Sequence, residues 1–343
     1  MRNILNPIFT NYYNTTQSVN KEEIEQYFKN ITNERVGRWF EAFLKFTNQK
    51  MITGMVMQNL FQDLQEAQII TTPLSILDVG CGEGELAMQI LQTWSTQLHC
   101  ICYYGIDTDT SFINTIHNAL TDLQVLHRLK QGSCFNSDID DLPNSMNIIL
   151  ASNVAYYAPN IDRFMHSLLS KKSSDGILVS IHESSTSIPN FLREKYGAEV
   201  DTKTAYKIKV CLDNVQVKYC EFMLPSKISL PENYHNMALQ LLKSTQSTAS
   251  NLDIPVLNAD HQQFKMLLEF VVQKSLESLK HQGSLNNYIN DVLDIAKKNK
   301  GSIPIKSSVV LVVPEDVHNK IYSIVDKKGF SKPDDISYSH FML

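Results

Sequence analysis

Three of the chain's twelve glycines, Gly80, Gly82 and Gly84, fall within five residues, in the run Ser-Ile-Leu-Asp-Val-Gly-Cys-Gly-Glu-Gly-Glu over 75–85. The apolar residues before them read as a buried strand and those after as a helix, so the glycines make a sharp strand-to-helix turn. A turn lacking β-carbons at three points lets a ligand press against its backbone, and N–H groups at a helix start point at an anionic or polar group. One strand-helix unit later, Tyr103-Tyr104-Gly105-Ile106 ends in Asp107. A carboxylate there can accept from both hydroxyls of a ribose.

The spacing narrows the ligand. A dinucleotide fingerprint is Gly-x-Gly-x-x-Gly, whereas this chain has Gly-x-Gly-x-Gly followed by Glu85. An acid at the helix start is a poor companion for a pyrophosphate. It is compatible with a ligand whose zwitterionic end and sulfonium carry positive charge. The plain alternative is a tight turn with a helix cap.

Other residues with chemistry sit near predicted strand ends. Asn153, Tyr156 and Tyr157 follow one strand, where open α/β sheets place ligands. Adjacent tyrosines suit a cationic sulfonium or amine through ring faces and hydroxyls; they could equally do no more than cap the sheet. His182 and Glu183 follow the next strand, as a base or as hydrogen-bonding groups at the rim. Asp138, Asp140 and Asp141 form an acidic loop whose spacing matches no standard metal loop, so no metal is expected.

The elements that must position these residues alternate. Strands are predicted at Ile76–Val79, Cys100–Ile106, Val125–Lys130, Asn147–Ala151 and Gly176–Ile181, with helices at Glu85–Trp94, Ser111–Asp122 and Ile161–Leu169. Strands separated by helices of this kind form βαβ units and a mostly parallel sheet. Before them, residues 1–70 read as helical, over Glu22–Asn30, Arg35–Asn48 and Met51–Ile69, the last broken by Gly54. Met51, Met55 and Met57, with Trp39, Phe40 and Phe43, read as a lid packing onto the core.

After Glu183 a polar loop, 184–190, leads to a short helix at Phe191–Tyr196, a helix at Tyr206–Leu212 and a strand at Val215–Phe222. Residues 225–300 turn helical, over Asn233–Lys243, His261–His281 and Asn286–Lys298, with Asp260 and Gln263 as a capping pair for the middle one. A strand returns at Ser308–Val313. The resulting division is a helical lid over 1–70, a core over 71–224 and 301–315, a helical insertion over 225–300 and an extension over 316–343.

Bulk properties exclude other classes. A formal charge of −5, from 31 basic and 36 acidic side chains, leaves no electrostatic footprint for nucleic acid. Six cysteines without Cys-x-x-Cys or Cys/His zinc spacing read as reduced thiols in a cytoplasmic compartment. Neither a signal peptide nor an 18-residue apolar run is visible, so no membrane partner is expected.

The segments 77–84 and 105–107, with Asn147–Tyr157 and Ser174–Val179, resemble class I S-adenosylmethionine-dependent methyltransferases over about residues 70–185. Within that class the chain is similar to histamine N-methyltransferase and its relatives. That likeness is carried by Tyr156-Tyr157, by His166-Ser167-Leu168-Leu169, by Lys195-Tyr196-Gly197 and by the helical insertion before a last strand. The resemblance implies a doubly wound seven-strand sheet and S-adenosylmethionine as cofactor, held by Asp78, Gly80, Cys81, Gly82, Gly84, Asp107, Thr108, Ser133, Ser152 and Asn153. It implies a small-molecule acceptor met by Gln49, Asn153, Tyr157, His182 and Ser307, with Asn153, Tyr156 and Tyr157 at the reacting centre. Where the family has a glutamate, a glutamine and an asparagine, this chain has Gln49, Asn153 and Ser307. The acid that would meet a charged amine is absent, which points away from histamine itself.

The expected function is therefore methyl transfer to a small molecule, at an amine nitrogen. The alternatives are an O- or protein methyltransferase and a cofactor-binding scaffold without catalysis.

Overall fold

The structure is a computed structural model. It describes residues 34–197, 202–246 and 258–327, apart from the side chains of 34–38, 41, 244–246 and 327. The predicted helix Glu22–Asn30 lies outside these residues, as does most of the 245–259 loop. In chain order the elements are α1 Glu34–Phe46, α2 Gln49–Glu66, β1 Leu74–Val79, α3 Glu85–Leu91, β2 Ile101–Asp107, α4 Thr110–Asp122 and β3 Leu126–Gln131. Next come β4 Met146–Ser152, α5 Ile161–Lys171, β5 Lys172–Glu183, α6 Ile188–Lys195, α7 Thr204–Asn214 and β6 Tyr219–Ser229. The chain continues with α8 Tyr234–Gln246, α9 Ala259–Val272, α10 Leu276–His281, α11 Leu285–Lys298, β7 Ser302–Val312 and α12 His318–Lys327.

The chain divides into two compact units, described separately. One comprises Lys50–Ser184, Lys203–Leu224 and the described part of Ser307–Leu343. The sheet is seven-stranded, ordered β3-β2-β1-β4-β5-β7-β6, with β7 antiparallel to β5 and parallel pairing from β3 through β5. The direction of winding reverses between β1 and β4, the place where a doubly wound sheet opens a crevice at its carboxyl edge. Strand alternation divides the core. Ile76 and Tyr103 face a layer built from Met57, Leu60 and Phe61 of α2, Ile90 of α3, Ile116 of α4 and Ile321 of α12. Leu77, Val79 and Leu178 face Phe164 and Leu168 of α5 and Ile208 and Leu212 of α7. Each fully buried aliphatic side chain contributes roughly 1.5–3 kcal/mol, so the two layers together fix the register of every strand.

Several sequence expectations change here. Gly54 does not break α2; the helix runs through it because its bare Cα seats the Gln89 side chain, whose Oε1 would lie 1.6 Å from any added Cβ. Met57 is buried while Met51 and Met55 stand exposed, so of the three methionines only Met57 packs onto the core. The last strand begins at Ser302 rather than Ser308, and β6 lies over Tyr219–Ser229 rather than Val215–Phe222.

The other unit comprises the described parts of Met1–Gln49, of Ser185–Thr202 and of Pro225–Lys306. Phe43 of α1 stacks on Phe270 of α9 at 4.4 Å between centroids. The buried Arg193 of α6 donates from Nε to Val271 O at 3.0 Å and from Nη1 to Asn190 Oδ1 at 2.7 Å, so its charge is spread over fixed oxygen dipoles. The predicted helix His261–His281 is two helices, separated where Gln273 takes a left-handed φ of 56°. The cap of α9 is Asn258, whose Oδ1 accepts from His261 N at 3.0 Å, rather than the pair Asp260 and Gln263. Residues 184–190 are not wholly loop, since α6 starts at Ile188 with Pro189 in its first turn, where a missing N–H costs nothing.

Candidate active site

The glycine turn connects β1 to α3 at the carboxyl edge. Gly80 N and Cys81 N both donate to Ile106 O, at 2.8 and 3.2 Å, which ties the turn to the end of β2. Gly82 and Gly84 both have left-handed φ, 54° and 82°, but for different reasons. A Cβ on Gly84 would lie 2.6 Å from Ile116, so this glycine lets α4 close against the turn. A Cβ on Gly82 would meet nothing within 4 Å. Open space stands over the backbone at that point.

Asp107 stands beside that space. Its Oδ2 accepts from Gly82 N at 3.0 Å and its Oδ1 from Asp109 N at 2.9 Å. An ionised carboxylate offers about four lone-pair directions, so two remain for a ligand's hydroxyls. Its backbone carbonyl accepts from Gly132 N at 2.9 Å, which draws in the loop carrying Ser133. Ser133 N donates to Asp138 Oδ2 at 2.9 Å, and Lys130 Nζ lies 2.6 Å from Asp141 Oδ2. The acidic loop thus uses these carboxylates to brace Ser133. Among the described residues no group of three or more metal-ligating side chains gathers.

Asp78 is 4% exposed and accepts from Tyr103 Oη at 2.8 Å. Burial pushes its carboxyl up to about 7; the Tyr103 hydrogen bond opposes that, and the nearby Asp107 charge adds to it. Burial, with the charges of Asp78 and Asp107, also raises the Cys81 thiol, so it carries no thiolate and only packs. Glu85, at the start of α3, is paired with Lys50 Nζ at 2.5 Å. Thr108 is half-buried between Asp107 and Asp109, the N-cap of α4.

A second group lies past β4 and β5. Asn153 holds a left-handed φ of 51°, and its N–H donates to Ile181 O at 2.8 Å. Tyr156 Oη donates to Asn153 Oδ1 at 3.2 Å and accepts from Glu183 N. Its ring stands edge-on to His182, with centroids 5.1 Å apart. His182 is 1% exposed, and burial lowers its imidazole to about 3. Ser152 Oγ is 3.5 Å from Asn153 Nδ2, and the half-buried Tyr157 packs against the α5–α7 layer.

The structure thus joins Asp78, Gly82 and Asp107 in one cluster and Asn153, Tyr156 and His182 in another. Ser307 is buried opposite Glu183 in the β5–β7 ladder. Gln49 belongs to the other unit, where its backbone N–H donates to Thr47 Oγ1 at 3.1 Å. Sequence reading misses Tyr103 and Lys50, because each acts through one long-range contact that no local spacing announces.

Residues 70–238 match the family profile described as "Methyltransferase domain". Over these residues the chain is similar to methyltransferase domains. The match supports an enzyme with S-adenosylmethionine as its methyl donor, and the glycine turn and Asp107 fall inside the matched stretch. No curated protein matches the chain by sequence. Similar solved structures include the YcgJ protein from Bacillus subtilis, at 13% identity and a TM-score of 0.42, covering 76% of this chain and 98% of that one. A putative methyltransferase from Bacillus halodurans aligns at 11% identity and a TM-score of 0.44, covering 74% and 97%. A coclaurine N-methyltransferase bound to N-methylheliamine and SAH aligns at 15% identity and a TM-score of 0.40, covering 75% and 71%. No described helix is long and apolar enough to cross a membrane.

Proposed function

We propose that the protein transfers a methyl group to a small-molecule acceptor at an amine nitrogen, in the manner of histamine N-methyltransferase and its relatives. The observation that carries the reading is the open space over Gly82 beside the Asp107 carboxylate. That space supports a polar ligand lying over the Gly82 backbone, with the remaining lone pairs of Asp107 available to a ribose.

When bound, S-adenosylmethionine supplies an electrophilic methyl group on a sulfonium. Asp107 would hold the ribose, with Gly80, Gly82, Gly84, Cys81 and Thr108 shaping the backbone around it and Asp78 beneath. Ser133 and Ser152 would line the adenine and methionine ends. Alignment of nucleophile and methyl, with water excluded, is the protein's main contribution to such a displacement. Asn153, Tyr156 and Tyr157 would supply that alignment from the end of β4, since Asn153 and Tyr156 fix each other. Gln49, His182 and Ser307 would complete the acceptor's surroundings, with 1–70 as a lid and 225–300 as a cap. None of the six cysteines is in a disulfide, in keeping with a reducing, cytoplasmic compartment.

The test is transfer of labelled methyl from S-adenosylmethionine to a panel of amines, phenols and peptides. Labelling of amines above the others is the expected result. A label confined to phenols or peptides overturns the nitrogen assignment, and no label on any acceptor favours a scaffold.

A further inference from the structure

Two polar residues on one face of β5 are buried without a hydrogen-bond partner among the described residues. Pleating puts Leu178, Ser180 and His182 on the same side of the strand, toward the α5–α7 layer. Ser180 Oγ and both ring nitrogens of His182 have no hydrogen-bond partner among the described residues, and each residue is 1% exposed. Leaving such groups unpaired is costly, and natural proteins keep few of them. The polar neighbours are already matched. Ser308, opposite His182 in the ladder, donates to Glu221 Oε1 at 2.6 Å, and Glu221 is paired with Lys209 at 2.8 Å. Alternation turns Glu183 to the opposite face. Tyr156 meets His182 edge-on through its ring, and its hydroxyl bonds Asn153 and Glu183 N.

We propose that His182 is the hydrogen-bonding anchor of the methyl acceptor, and that it takes the acceptor nitrogen in its uncharged, free-base form. This rests on the methyl-transfer reading above. A neutral imidazole carries one N–H and one lone pair. Its lone pair accepts the acceptor's N–H and leaves the nitrogen's own lone pair free for the methyl group. The second ring nitrogen and Ser180 Oγ remain for another polar group of the same molecule. An ammonium ion would bring an unmatched charge onto a face where Glu221 already has Lys209, and it has no lone pair with which to attack. Burial keeps the imidazole neutral across the physiological range. Tyr156, the partly exposed side chain packed against the ring, is the neighbour that the acceptor would have to pass.

The test compares full-length wild type, His182→Leu and His182→Gln. Calorimetry with S-adenosylhomocysteine should give the same affinity in all three, within about twofold. His182→Leu should unfold at an equal temperature or about 2 °C higher, because it removes an unpaired buried group. Toward the most strongly labelled amine, its kcat/KM should fall about 100-fold, mostly through KM, a loss of the size expected for a buried hydrogen bond. His182→Gln, which keeps a donor and an acceptor, should recover part of that. Unfolding of His182→Leu several degrees below wild type would mean a structural histidine and overturn the proposal. So would an unchanged kcat/KM. Failure of wild type to bind S-adenosylhomocysteine would instead sink the methyl-transfer reading itself.

Discussion

The backbone N–H of Gly82 donates to Asp107 Oδ2 across 3.0 Å, joining the glycine turn after β1 to the acid at the end of β2. Twenty-five residues apart in the chain, the two come together because β1 and β2 pair in parallel, with Val79 opposite Ile106. The same carboxylate therefore shapes the turn and faces the open side of it. Loss of the acid should affect the ligand and the loop together.

Asp107→Asn keeps the size of the side chain but replaces one acceptor oxygen with a donor. Charge-assisted hydrogen bonds contribute about 1.5–3 kcal/mol each, so affinity for S-adenosylhomocysteine should fall roughly 10- to 100-fold. Isothermal calorimetry measures this directly. Affinity within twofold of wild type would remove Asp107 from the site.

Gly82→Ala and Gly84→Ala should separate in what they lose. Both place a β-carbon at left-handed φ, at about 1–2 kcal/mol. At Gly84 the methyl also strikes Ile116, 2.6 Å away, and the overpacking adds about 1–3 kcal/mol. At Gly82 it enters open space. Chemical denaturation should show Gly84→Ala as the less stable. Cofactor titration should show Gly82→Ala as binding weakly despite its milder folding defect.

Asp78 gives a pH signature. Its carboxyl is held up to about 7 in the folded protein, against 3.8 ordinarily, so the native state binds the proton more tightly than the unfolded chain. Stability from this group is present below pH 4 and is lost as pH rises toward 7. Asp78→Asn cannot lose a proton. Its melting temperature relative to wild type should therefore climb between pH 4 and pH 8, following about 1.4 kcal/mol for every tenfold difference in proton affinity between the folded and unfolded carboxyl. His182 slopes the other way between about 3 and 6.5, but it is common to both proteins and cancels in the difference. A flat difference across that range contradicts the burial of an ionisable Asp78.

Tyr156→Phe removes the hydroxyl that links Asn153 to Glu183 N. It should cost about 1–3 kcal/mol of stability, because two groups lose a partner, and lower turnover with little change in cofactor affinity. Thermal unfolding and cofactor calorimetry on one preparation decide it; a large loss of cofactor affinity would move Tyr156 to the donor's side of the site.

Much of this is legible in the sequence. Alternating strands and helices, three glycines in five residues and an acid ending the next strand point to the doubly wound sheet, the turn and Asp107. What escapes depends on contacts between distant segments. The Tyr103–Asp78 hydrogen bond needs the β1–β2 register, and the isolation of His182 needs the face of β5 and its neighbour β7. Gly54 misleads because a glycine in a helix looks like a breaker until the side chain that fills it, Gln89, is seen. Glu85 suggests a ligand by its charge alone, and its partner Lys50 lies 35 residues earlier. The inner break at Gln273 has no glycine or proline to mark it.

The most direct measurement is calorimetric titration of the full-length protein and of Asp107→Ala with S-adenosylhomocysteine. One molecule bound per wild-type chain, with binding lost or weakened about 100-fold in the variant, is the predicted result. A wild type that releases no heat and shows no melting shift with S-adenosylhomocysteine would contradict the account at its centre.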